Sequence, residues 1–142
     1  MEKLDDIIFY KIDKAIRSYR MFAQKQLKAS GYKISVDQWL VIKAILENPG
    51  MPQQKIANLI FKDNASVTRI IEILVQLGYL SRNINETDRR KTNLEVTEEG
   101  KQIIQNVQSL VHQNRQVALN GISETALQNM NQTLTKIIEN CP

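Results

Sequence analysis

Between residues 63 and 100 the chain shows its clearest alternation of hydrophobic and polar positions. Val67, Ile70, Ile71, Leu74 and Leu77 recur at helical spacing and predict an amphipathic helix of about four turns with that stripe packed inward. The opposite face carries Ala65, Thr68, Arg69, Glu72 and Gln76, small or hydrogen-bonding side chains with one long cation, a face that can enter a groove. Gly78 supplies the stop. Residues 79–84 and 92–96 then alternate as two short strands around Asn85-Glu86-Thr87-Asp88-Arg89-Arg90-Lys91, a hairpin with a basic tip. Helix, strand, basic tip, strand is the order of a winged helix.

The rest of the chain is helical in pattern. Over residues 4–29, Leu4, Ile8, Ile12, Ala15, Tyr19, Phe22 and Leu27 fall close to one side, widened by Ile7, Ile16 and Ala23, and predict a long first helix ending at Ser30-Gly31. So apolar a helix needs a covering surface, and the sequence leaves open whether its own C-terminal helices or a second copy of the chain provides it. Ser35 with Gln38 reads as a capping box opening a second helix, which holds only Lys43 as a charge between Trp39 and Leu46 and so predicts the buried spine. Trp39 reads as core, with a ligand pocket as the alternative. Asn48-Pro49-Gly50 is a turn, and Pro52 suits the first position of a short helix, Gln53 to Leu59, with Ile56, Leu59 and Ile60 inward. Phe61-Lys62-Asp63-Asn64 connects it to the amphipathic helix, which Asp63 caps. That is the order of a helix-turn-helix, without a glycine in the turn. After the hairpin, Thr97 is an N-cap with Glu98 and Glu99 in the first turn; Ile103, Val107, Leu110, Val111, Asn114, Val117 and Ala118 keep a helical period towards Gly121. Ser123 and Glu124 open a last helix bearing Leu127, Met130, Leu134, Ile137 and Ile138.

Composition narrows the function more than the fold. At 142 residues and 42% hydrophobic, the chain fits one folding unit. Its net charge of +4 is a weak sign of a polyanionic partner, but the placement is informative. Residues 52–92 hold Lys55, Lys62, Arg69, Arg82, Arg89, Arg90 and Lys91 against Asp63, Glu72, Glu86 and Asp88, whereas the segment after the hairpin is acidic. No apolar run approaches the length of a membrane span, and the N-terminus lacks the features of a signal peptide, so the expectation is a cytoplasmic protein. Cys141 is the sole cysteine and reads as an inert tail thiol. With His112 the only histidine and no metal-ligand cluster, phosphate loop or nucleophile elbow, nothing converges for catalysis. We expect no enzyme, no cofactor and no metal.

Over nearly its whole length the sequence resembles the MarR family of bacterial winged-helix regulators. The likeness is carried by Ile56-Ala57 with Leu59, by Ser66-Val67-Thr68-Arg69 with Leu74, by Gly78-Tyr79-Leu80 with Arg82, by Asp88-Arg89-Arg90, and by the run Leu94-Glu95-Val96-Thr97-Glu98-Glu99-Gly100. One departure is Met51-Pro52, where family members often have a capping Thr. The redox-sensing branch has a cysteine near the start of the chain, and this sequence has none there. The resemblance implies a mainly α fold with a small β-hairpin: a winged helix-turn-helix over residues 32–97, flanked by dimerisation helices in 1–31 and 98–142. It further implies a homodimer on a pseudo-palindromic operator in double-stranded DNA, and a small-molecule effector bound between the winged region and the dimer helices. Tyr32 and Trp39 are the aromatic residues nearest that place, but the effector site stays unassigned.

Within this reading Thr68 and Arg69 face the major groove, Arg69 being suited to guanine O6 and N7. Ser66 and the amides near Asn64 fix phosphates, and Gln53 assists from the preceding helix. Arg89 or Arg90, with Lys91, reaches the minor groove, oriented by Asp88. The plainer alternatives are a charged hairpin tip and, for Arg69, an exposed cation paired with Glu72 or Gln76. The competing function is a winged helix that binds protein and no operator.

Overall fold

Ser35 starts the helix on which the others pack. In the computed structural model, which describes residues 1–84, 86–88 and 92–142, its Oγ accepts the Gln38 amide at 3.1 Å while Gln38 Oε1 accepts the Ser35 amide at 2.9 Å. This closes the expected capping box. The first long helix, α1 (Ile8–Ala29), precedes it, and α2 (Val36–Glu47) buries Val41, Ile42, Ala44 and Ile45. Around α2 stand α3 (Gln53–Leu59), α4 (Asn64–Gln76), the antiparallel pair β1 (Leu80–Ile84) and β2 (Thr92–Val96), and α5 (Glu98–Ala118). A last helix, α6 (Glu124–Asn140), buries none of its residues. The strands pair with Leu80 opposite Val96 and Ile84 opposite Thr92.

One core joins these elements: Leu27 of α1, Val41 and Ile42 of α2, Ile56 and Ala57 of α3, Val67, Ile71 and Leu74 of α4, Leu80, and Ile103 and Val107 of α5. Each fully buried Ile, Leu or Val contributes roughly 1.5–3 kcal/mol relative to exposure, so the base of the hairpin, α4 and α5 are held by one apolar contact system. The mainly α fold with a small hairpin is as expected.

Four local expectations are corrected. Helix α1 begins at Ile8, because extended Ile7 separates it from a short 3-10 turn over Leu4–Asp6. Leu59 is 49% exposed; Ala57 takes the inward place, its small side chain letting that side of α3 approach α2. Leu77 is 39% exposed, since the stripe of α4 drifts around the helix, leaving Ile70 half-buried at its edge and Leu77 beyond it. Pro52 is the N-cap and not the first helical residue, with no side-chain cap; its carbonyl accepts the amides of Lys55 and Ile56.

Where the turn between α3 and α4 has no glycine, Phe61 adopts φ 60. The amide of Lys62 reaches back to the Ala57 carbonyl at 3.0 Å and that of Phe61 to Asn58 at 3.4 Å, the bond pattern that ends a helix with one left-handed residue. The first half of α1 leaves Ile8, Phe9 and Ile16 exposed, and α6 leaves Met130 and Ile138 exposed.

Candidate nucleic-acid interface

The leading end of α4 is built by Asp63. Its Oδ1 accepts the Ser66 amide at 2.7 Å and its Oδ2 the Ser66 hydroxyl at 3.0 Å. These two bonds, with a smaller contribution from the charge of Arg69, hold the Asp63 carboxyl below the usual carboxylate range. The cap is therefore present at neutral pH and is lost only as pH falls through that lowered value.

Gln53, the first residue of α3, spans to α4. Its Nε2 donates to Thr68 Oγ1 at 2.6 Å and to Asn64 Oδ1 at 3.0 Å, with a longer approach of 3.4 Å to the Asn64 carbonyl. Thr68 donates in turn to that carbonyl at 2.9 Å. The structure thus brings Gln53, Asn64 and Thr68 into one cluster at the tip of the helix-turn-helix, with Ser66 between Asn64 and Thr68 in sequence and bonded to Asp63. The Thr68 hydroxyl both accepts and donates inside that cluster, leaving its methyl as the uncommitted part. Arg69 is exposed, and among the described residues it forms neither the pair with Glu72 nor the one with Gln76.

At the wing, Asp88 is half-buried, while Arg89, Arg90 and Lys91 lie outside the described residues. Two further cations lie on the hairpin and in the turn. Arg82 is exposed on β1, across from Leu94, and Lys62 sits in the turn paired with Asp37 at 3.3 Å. Neither was singled out as a contact from sequence, although both belong to the basic excess of residues 52–92.

A second feature lies away from this surface. A cavity of about 180 Å³ opens between α1, α2 and α5, walled by Ile16, Leu27, Leu40 and Val111. Trp39 lines it, and among the described residues its buried Nε1 has no hydrogen-bond partner; Asn114, only 4% exposed, also lines it, as do Arg20 and Arg115. Trp39 is thus a cavity wall as well as a core residue, with Lys43 Nζ 5.9 Å from its ring centroid. Tyr32 is elsewhere: its hydroxyl donates to the Asn106 carbonyl at 3.0 Å, and it lines an open groove with Lys28 and Leu77. Asn114 had a sequence signal, being the one amide on the apolar stripe of α5.

Among the described residues, no helix is long and apolar enough to cross a membrane. The sequence model of the MarR family matches residues 34–92. An uncharacterized HTH-type transcriptional regulator, YybA of Bacillus subtilis (strain 168), is 27% identical over 103 residues, covering 72% of this chain and 69% of its own. The crystal structure of the transcriptional regulator SlyA superposes with a TM-score of 0.81 at 26% identity, over 94% of this chain and 92% of the other. BpsR of Bordetella bronchiseptica, whose DNA binding is regulated by 6-hydroxynicotinic acid, superposes with a TM-score of 0.85 at 18% identity, over 96% of both chains, a likeness of fold. The family-model match from α2 through the helix-turn-helix to the start of β2, on a fold shared with SlyA over almost the full length, supports a winged-helix transcriptional regulator similar to the MarR family.

Proposed function

We propose that the protein is a cytoplasmic homodimeric repressor that binds a pseudo-palindromic operator in double-stranded DNA and is released by a small-molecule effector. The observation that carries the reading is the exposed leading end of α4, where Arg69 stands beside the bonded cluster of Gln53, Asn64 and Thr68. Arg69 reads a guanine, and the Thr68 methyl is suited to a thymine methyl. The amides of Asn64 and Ala65, which no group among the described residues accepts, point to a phosphate at the helix N-terminus, with Ser66 beside them. Arg89, Arg90 and Lys91 extend the contact from the wing, oriented by Asp88. The direct test is titration of the full-length protein with the duplex upstream of its own gene, at two salt concentrations. Binding that is salt-sensitive yet indifferent to sequence would reject the operator reading.

A dimer follows from the apolar faces that α1 and α6 leave uncovered, through Ile8, Phe9, Ile16, Met130 and Ile138. Two-fold pairing would set two recognition helices about 34–36 Å apart, one turn of DNA. Sedimentation at low micromolar concentration is expected to give the dimer; a monomer there would remove the two-half-site arrangement.

The wing separates this function from protein binding alone. Arg90→Ala removes up to two cationic contacts per dimer, so the log–log salt slope is expected to become shallower by roughly 1–2 units. Asp88→Ala should cost less, since the cations remain. If Arg89→Ala and Arg90→Ala both left affinity and salt slope unchanged while lowering the melting temperature, the protein-interaction reading would stand in place of the DNA one.

For the effector, the cavity between α1, α2 and α5 is the candidate. Its size suits a single-ring molecule, and Asn114, Arg20 and Arg115 supply polar groups beside the apolar wall of Ile16, Leu27, Leu40 and Val111, with the Trp39 ring at its edge. Trp39 is the only tryptophan, so its fluorescence reports occupancy. Titration with a panel of single-ring aromatic acids, 6-hydroxynicotinic acid among them, is expected to change that emission and to weaken DNA binding together, and Asn114→Leu to abolish both effects.

A further inference from the structure

Among the described residues, only Asp37 makes ion pairs that join separate elements, linking α2 to α1 and to the turn between α3 and α4. The other pairs stay local, within a helix (Arg17 with Asp13, Lys43 with Glu47, Lys101 with Glu98) or within the N-terminal segment (Lys14 with Asp5). Asp37 Oδ1 lies 3.5 Å from Nη1 of Arg20 on α1, and its Oδ2 lies 3.3 Å from Nζ of Lys62, the residue before the cap of α4. All three anchors have fixed backbones. Asp37 is in the first turn of α2 inside the Ser35–Gln38 box, Arg20 is in mid-helix, and the Lys62 amide is bonded to the Ala57 carbonyl.

We propose that Asp37 is a positioning residue that braces the leading end of the recognition helix against α1, and so sets the separation of the two recognition helices in the dimer. The inference rests on the dimeric-operator reading above. Val67, Ile71 and Leu74 press α4 onto the core, but apolar contact is non-directional and resists rotation weakly. A carboxylate with one oxygen towards each of two cations is directional, and it acts at the end of α4 that enters the groove. Because partly exposed pairs add little to global stability, the consequence of losing the brace falls on recognition geometry and not on folding. A base-pair step is about 3.4 Å along the duplex, so a small rotation at this junction is enough to alter which half-site spacing fits.

The test uses full-length wild type, Asp37→Asn, Asp37→Glu, Arg20→Gln, Lys62→Gln and the Arg20→Gln/Lys62→Gln double variant. A duplex is selected from a randomised library by the wild type, then remade with its half-sites one base pair closer or farther apart. Asp37→Asn is expected to melt and sediment as the wild type does, while its preference for the best spacing over the two neighbours falls several-fold. Arg20→Gln and Lys62→Gln should each give the same loss, the double variant no more than either alone, because they cut one brace. Asp37→Glu should restore part of the preference. An unchanged spacing preference in Asp37→Asn overturns the proposal. So does tighter binding with a steeper salt slope, which would mean that Asp37 merely withholds Lys62 from a phosphate. A wild type that selects no two-half-site duplex, or sediments as a monomer, instead locates the failure in the dimeric-operator reading, and the proposal falls with it.

Discussion

Arg69→Ala is expected to weaken operator binding by roughly 1–3 kcal/mol and to relax base preference at one position in each half-site, with the melting temperature unchanged. The size follows from the loss of a bidentate Arg–guanine contact. The selectivity follows from position: Arg69 is exposed on the helix face opposite Val67, Ile71 and Leu74, so its removal opens no cavity. Its contribution to lowering the Asp63 pKa is the smallest of those acting there, behind the two Ser66 bonds, so the cap survives. Wing variants should differ by weakening all sequences together. Binding of Arg69→Ala at wild-type affinity to the selected duplex, with its base preference intact, would show that α4 is not the reader.

Gly100→Ala should have the largest effect on folding, and in the opposite direction from an ordinary helix. Replacing glycine by alanine in an open helical site stabilises by up to about 1 kcal/mol. At Gly100 an added Cβ would lie 2.8 Å from Val96 Cγ1 and closer still to the Tyr79 carbonyl oxygen. That oxygen cannot yield easily, because it accepts the Thr97 amide at 3.1 Å, and Thr97 Oγ1 both donates to the Gly78 carbonyl at 2.6 Å and accepts the Gly100 amide at 3.0 Å. The start of α5 and the base of the wing form one bonded knot around this residue. Forcing them apart is expected to cost roughly 1–3 kcal/mol, read as a lower urea midpoint, and to weaken DNA binding by moving the wing relative to α4. A midpoint equal to or above that of the wild type would show that the knot opens without cost.

Gly100 also separates what could be read from what had to be seen. Its place in the run from Leu94 was visible in the resemblance, but no periodicity says that the backbone carbonyl of Tyr79, far earlier in the chain, occupies the space of its side chain. Ser35 with Gln38, Asp63 and Thr97 behaved differently: their partners lie three residues away, and local hydrogen bonds of that kind are encoded in spacing alone.

The sequence by itself determined the order of the helices, the caps at Ser35, Asp63 and Thr97, the place of the hairpin and the face of α4 that carries Arg69, because helical and strand periods act over a few residues. It could not settle which edge of each apolar stripe is covered. Leu59 and Leu77 fit their patterns and are exposed, since the partner surface, with Ala57 admitting close approach on one side of α3, selects the buried arc. Only the tertiary structure joined Gln53 to Thr68 across two helices, drew Arg20 and Lys62 to the two oxygens of Asp37, and set Trp39 and Asn114 around one cavity between α1, α2 and α5. Those groups are brought together by the packing of whole helices, a long-range event that leaves no trace in the spacing of the residues it unites.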